Sequence, residues 1–132
     1  MSEVELKIKG WCKNYPGERP PRFLRAFLLL FLSMGEAHGY ELIEKLKNMG
    51  VKYETYEVGY VYKTLRNMEK DGLLDSRWNV KEKGAAKRIY RITEKGRESL
   101  EDWVAVLSNI RDSITNFLMV YEQIKEGKRK SG

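Results

Sequence analysis

Apolar positions along this 132-residue chain change period several times, and each change marks an element. Val4, Leu6 and Ile8 alternate with charged residues, as in a half-buried strand, although the same stretch also reads as a frayed arm. Gly10, Pro16-Gly17 and Pro20-Pro21 punctuate the irregular segment that follows. Trp11 and Tyr15 within it need cover from the domain body or from a second subunit. From Arg22 to Met34 the chain is apolar nearly all round, which predicts a helix buried on most sides. Gly35 to Gly39 reads as a turn. Tyr40 to Met49 predicts a second, amphipathic helix with Leu42, Ile43, Leu46 and Met49 inward, closed by Gly50.

The stretch from Val58 predicts a third helix. Val58, Val61, Leu65 and Met68 recur at spacings of three and four and form its apolar stripe. Tyr60, Lys63, Thr64 and Asn67 form the opposite stripe, with Arg66 and Lys70 flanking it. Asp71-Gly72 should stop the helix, because glycine accepts the left-handed conformation that many helix ends need. Thr55 is the best N-cap residue ahead of it, while Glu57 caps poorly but suits the helix dipole.

Two short alternating runs come next. Leu74, Ser76, Trp78 and Val80 share one face of the first, and Arg88, Tyr90 and Ile92 share one face of the second. A basic loop with Lys81, Lys83, Gly84 and Lys87 joins them, so the pair predicts a hairpin with a long turn. Thr93-Glu94 then supplies an N-cap and an acidic first turn. Beyond it Leu100, Trp103, Leu107, Ile110, Ile114, Phe117, Tyr121 and Ile124 step by alternating threes and fours. This is a heptad seam on one long helix ending near Glu126. A body built from residues 22–92 is too small to cover it, so much of the seam should meet another chain. From Gly127 a basic disordered tail is expected.

Charge sharpens this picture. The chain carries a formal net charge of +6, which suits a polyanionic partner. Residues 57–97 hold eleven Lys and Arg against six Asp and Glu, whereas residues 98–126 hold two against six. The basic surplus therefore sits on the third helix and the hairpin, and the long helix is acidic. The single cysteine, Cys12, excludes an intrachain disulfide, so a reducing, cytoplasmic setting is expected. No cleavable leader is expected, because the first residues alternate charged and apolar, and the longest apolar run, Ala26 to Leu32, is far short of the roughly 20 residues a membrane helix needs. There is no nucleophile–base pair, glycine-rich phosphate loop or cluster at metal-ligand spacing, so neither an enzyme nor a cofactor is expected. His38, the one histidine, is either a pH-sensitive group or a residue bonding to backbone at the next helix start; the second reading is favoured because no partner acid or nucleophile is in view.

Three helices, a basic two-stranded hairpin and a long heptad helix describe a mainly α (α+β) winged helix-turn-helix. Its organisation is an arm over 1–21, a DNA-binding domain over 22–93, a dimerisation helix over 94–126 and the tail over 127–132. The third helix would enter the major groove with Tyr60, Lys63, Thr64 and Asn67 toward base edges. Arg66 and Lys70 would lie nearer phosphates, and Lys81, Lys83 and Lys87 on the wing would meet backbone or a narrow minor groove. Joined through the long helix, two copies would bind double-stranded DNA as an inverted-repeat operator. The other class of reading is an adaptor that binds no DNA and works through protein contacts of the long helix.

Leu28 to Leu46 with Ala37-His38-Gly39-Tyr40-Glu41-Leu42, then Gly59-Tyr60-Val61-Tyr62 through Gly72-Leu73-Leu74, then Tyr90-Arg91-Ile92-Thr93-Glu94-Lys95-Gly96, together resemble the PadR family of transcriptional regulators, in its compact branch with one C-terminal helix. The resemblance implies a homodimeric DNA-binding regulator, usually a repressor, released by a small molecule or another signal. It also implies that Tyr62 supports the recognition helix and lies against the DNA backbone. The chain differs from the family pattern at Glu57-Val58, where Ser-Pro or Asp-Pro is common, and at Gly84-Ala85-Ala86, where the wing often has prolines. Trp103 and Phe117 on the seam, joined by Trp11, are candidates for an aromatic or apolar effector pocket. Simple packing of the interface is the favoured alternative. Cys12 as a redox sensor would need a depressed pKa, which sequence does not show.

Overall fold

The computed structural model describes residues 23–49, 58–79 and 86–131. In chain order these form α1 (Leu24–Ser33), β1 (Ala37–His38), α2 (Gly39–Asn48), α3 (Val58–Lys70), β2 (Leu74–Asn79), β3 (Lys87–Ile92) and α4 (Glu94–Ser131). The expected arm, Trp11, Gly50, Thr55, Glu57, Lys81 and Lys83 lie outside the described residues.

The fold is built around α1. Leu24, Ala26, Leu28, Leu29, Phe31 and Leu32 are all buried, because α2, α3, β3 and α4 all pack against it. Leu42, Ile43 and Leu46 of α2 and Val61, Leu65 and Met68 of α3 complete the helical part of this core. Met49, expected inward, is the exposed C-cap of α2. His38 is the N-cap of that helix: its Nδ1 accepts from Glu41 N at 3.4 Å, and its own amide donates to the Glu41 carboxylate at 3.4 Å, a capping box; the same carboxylate lies 2.9 Å from His38 Nε2, a partner acid that the sequence did not show.

The segment read as a turn contains a strand. Ala37 and His38 pair antiparallel with Tyr90 and Ile89, which makes the wing a three-stranded sheet in the order β1-β3-β2. Two residues are too few to show alternation, so only the partner strand reveals them. In the hairpin Leu74, Ser76 and Trp78 stand opposite Ile92, Tyr90 and Arg88, which places the expected residues on one face.

The junction between α3 and α4 is tightly bonded. Gly72 takes a left-handed φ of 82°, Gly72 N donates to Glu69 O at 3.0 Å and Leu73 N to Met68 O at 2.9 Å, the paired bonds of a Schellman stop. Thr93 then caps α4: its hydroxyl accepts from Gly96 N at 3.0 Å and donates to Gly72 O at 2.7 Å, while its amide donates to Leu73 O at 3.1 Å. Lys95 Nζ reaches Asp71 O at 2.9 Å, and Arg25 of α1 pairs with the Asp71 carboxylate at 3.0 Å. The end of α3 is thereby fixed to the start of α4.

Helix α4 runs for 38 residues, roughly 57 Å at 1.5 Å per residue. It continues past Glu126 through the stretch expected to be a disordered tail. Gly127 keeps a right-handed backbone, since glycine permits a helix stop without forcing one. Leu100 and Trp103 pack onto the core, and Trp103 meets Phe23 edge to face at 6.2 Å. The first turns of the long helix therefore belong to the body.

Candidate nucleic-acid interface

Helix α3 divides its sides cleanly. Val61, Thr64, Leu65 and Met68 face the core, Tyr62 and Glu69 are half-buried toward the wing, and Tyr60, Lys63, Arg66, Asn67 and Lys70 face outward. Two expectations change here. Thr64 is only 7% exposed, with its hydroxyl donating to Tyr60 O at 2.8 Å, so it closes on its own helix and does not reach a partner. Val58 is exposed at the helix start, beyond the reach of the core. The outward face is thus Tyr60, Lys63, Asn67, Arg66 and Lys70, with Gly59 beside them.

Folding also sorts the cations. Arg77 pairs with Glu36 at 2.6 Å and Arg91 with Asp75 at 3.1 Å, both on the sheet face away from Arg88. Arg88 pairs with Glu69 at 3.0 Å. Among the described residues, Lys63, Arg66, Lys70 and Lys87 have no carboxylate within ion-pair distance. Three of these four lie on the outer side of α3 and the fourth on the adjoining strand end of the wing, so unpaired positive charge gathers there, although Lys45, Arg97, Lys125 and Arg129 elsewhere also lack such a partner among the described residues.

Between these two lies a cleft of about 360 Å³. Tyr62 and Arg66 form its helix side, Trp78, Lys87 and Arg88 its wing side, and Tyr90 is part of its lining. Tyr62 packs against Gly39, where a side chain would collide with the phenol ring, so α2 and α3 meet at van der Waals distance. Burial pushes the Tyr90 phenol above its ordinary range, an effect that Arg88 opposes and Glu69 reinforces. Sequence alone did not pick out Glu69 or Tyr40, which lies at this cleft; nothing in their local spacing signals a partner on another element.

The heptad seam splits in two. Leu100, Trp103, Leu107 and Ile110 are half-buried, whereas Ile114, Phe117, Tyr121 and Ile124 are exposed, Phe117 to 70%. The exposed half forms an apolar groove of about 420 Å³ lined by Phe117, Val120, Tyr121 and Ile124. Trp103 and Phe117 are 14 positions apart, roughly 21 Å along the axis, so a single chain does not assemble them into one pocket. Among the described residues no helix is long and apolar enough to cross a membrane, and no group of His, Cys, Asp and Glu could hold a metal ion.

Three core helices and a sheet wing define a winged helix-turn-helix protein. Residues 28–102 match the model of the transcriptional regulator PadR-like family, and the chain belongs to that family. The Escherichia coli transcriptional regulator YqjI is 35% identical over 91 residues, which cover 65% of this chain and 42% of YqjI. The chain thus spans less than half the length of that relative. A PadR-like transcriptional regulator from Bacillus cereus has a similar structure, with a TM-score of 0.63 and 29% identity over 73% of this chain and 91% of that one. The Bacillus subtilis negative transcriptional regulator PadR, solved in complex with operator DNA, matches in fold with a TM-score of 0.57 and 24% identity over 65% of this chain and 48% of that one. The family is one of transcriptional regulators.

Proposed function

We propose that this chain is a sequence-specific DNA-binding regulator that acts in the cytoplasm as a homodimeric repressor and is released by a small molecule or another signal. The observation that carries the reading is the outer face of α3, where Lys63, Arg66, Asn67 and Lys70 stand together without ion-pair partners among the described residues. Asn67 and Lys63 suit base edges in a major groove, with Asn bidentate to adenine and Lys directed at guanine acceptors. Tyr60 stands on the same side, toward base edges, and Tyr62, Arg66, Lys70 and the wing lysines suit the flanking backbone. Thr64, being turned inward, has no part in it.

The exposed half of the α4 seam supports assembly of two copies through that helix. Such a pair presents two recognition helices about a twofold axis, to inverted half-sites about 34–36 Å apart. Because α3 is bonded to α4 at Gly72 and Thr93, a signal that alters the crossing of the two long helices also alters that spacing. The Bacillus subtilis relative, a negative regulator solved on its operator, supports both DNA as partner and repression as the sign.

The test is retention on duplex DNA as salt rises. A DNA-binding regulator loses affinity with a log–log slope of about −0.9 for each phosphate neutralised. Early elution with no slope would leave the adaptor reading in its place. Selection of bound genomic fragments would then define the operator.

A further inference from the structure

The wing is anchored at its base by packing and along one edge by its pairing with β1 and the Arg77–Glu36 ion pair, whereas its outer end at Trp78 and Lys87 is largely exposed. Leu74, Tyr90 and Ile92 are buried at the base, whereas Trp78 is 61% exposed and Lys87 stands in solvent. Hydrophobic packing therefore fixes where the hairpin begins but not the angle at which it leaves the body. On the face turned toward α3 Arg88 bridges that gap, while Arg77 ties the opposite face to Glu36. Arg88 Nη2 bonds Glu69 Oε1 of the recognition helix at 3.0 Å, and Arg88 Nε donates to Ser76 Oγ on the facing strand at 2.8 Å. The Ser76 hydroxyl in turn donates to Glu69 Oε2 at 2.7 Å, which closes a ring of three residues from three elements. The guanidinium also lies 5.6 Å from the Trp78 ring centre and 5.9 Å from that of Tyr90.

We propose that Arg88 is a positioning residue for DNA binding: with Glu69 and Ser76 it sets the angle between wing and recognition helix, so that Lys87 and the outer face of α3 meet one duplex together. The inference rests on the DNA-binding reading above and adds a role for residues that need not touch DNA. The ion pair is part-exposed, 36% at Arg88 and 27% at Glu69, so it is a weak contributor to global stability. What it supplies is orientation, because two strands of a hairpin and a helix are tied through one rigid fork. A lysine has the same charge but a single ammonium, and it cannot reproduce two divergent bonds together with stacking on two rings.

The 132-residue chain is titrated with a mixed-sequence duplex over a range of salt, as wild type, Arg88→Lys, Ser76→Ala, Lys87→Ala and the Arg88→Lys/Lys87→Ala double variant. Neither Arg88→Lys nor Ser76→Ala changes net charge. Wild type should lose affinity on Lys87→Ala and lose about 0.9 from the salt slope, the equivalent of one phosphate. In the Arg88→Lys background the same Lys87→Ala change should have no further effect, since the lysine is no longer held in place. Additive losses would mean that Arg88 contacts DNA on its own account, and the positioning role would be overturned. A second arm uses no DNA. Amide exchange at residues 76–79 and 87–90 should quicken at least about tenfold in Arg88→Lys and in Ser76→Ala, with α1 unaffected. Unchanged exchange overturns the clamp even if the wild type binds DNA. Faster exchange with no DNA binding by any variant upholds the clamp as a wing tether, and it is the DNA-binding reading that fails.

Discussion

Gly96 is where the coupling between recognition helix and long helix is most exposed to a single change. It occupies the third position of α4, directly against the Schellman stop of α3. A methyl group built there overlaps the Leu73 carbonyl oxygen and lies 2.7 Å from Ile92 Cγ1, where carbon–carbon contact is ordinarily about 3.5–4.0 Å. Helix propensity alone favours alanine over glycine by roughly 0.5–1 kcal/mol. Against that stand about 1–3 kcal/mol for overpacking and about 1 kcal/mol for weakening the Thr93 N to Leu73 O bond. The sum predicts that Gly96→Ala destabilises by roughly 2 kcal/mol, near thirtyfold in the folding equilibrium. Gly127→Ala is the internal control, for a Cβ there meets nothing within 4 Å on the same helix. It should be neutral or slightly stabilising. Both are read by urea denaturation at one fixed protein concentration, since dimerisation would make stability concentration-dependent. A Gly96→Ala chain as stable as wild type, or shifted in parallel with Gly127→Ala, would refute the close approach of α4 to Leu73.

The long-helix seam predicts that Ile114→Asp raises the dimer dissociation constant at least about 100-fold, roughly 2.8 kcal/mol, because each copy would bring a carboxylate to the apolar interface; sedimentation of the variant as an unchanged dimer would rule that seam out. Asn67→Ala should cost about 1–3 kcal/mol of discrimination between operator and scrambled DNA, while Lys70→Ala should weaken both targets alike, and competition assays in which the two variants behave identically would count against base reading by Asn67. Tyr90 predicts an alkaline loss of stability. Its phenol lies above its ordinary value of 10.0 chiefly through burial, so the unfolded chain releases its proton first as pH rises past 10.0. Stability is intact below that pH and falls in the window above it; Tyr90→Phe should flatten the fall, and an identical alkaline slope in the variant would contradict this.

What could be read in the residues alone was local. The helical stripe of Val61, Leu65 and Met68, the Gly72 stop, the Thr93 cap and the shared face of Leu74, Ser76 and Trp78 all depend on neighbours a few positions away, within reach of helix and strand periodicity. Tertiary structure decided what has no local signal. The strand at Ala37–His38 exists only because β3 lies beside it. Thr64 sits at the edge of a polar stripe, and the direction of packing turned it inward. Which cations remain for a partner depended on pairs 46, 41 and 19 positions apart, Arg25 with Asp71, Arg77 with Glu36 and Arg88 with Glu69. The heptad stripe of α4 shows the boundary between the two levels. Periodicity dictates that one side of that helix avoids water, but a period carries no information about the neighbour. Only the packed body shows that α1 covers its first turns and leaves Ile114 to Ile124 open.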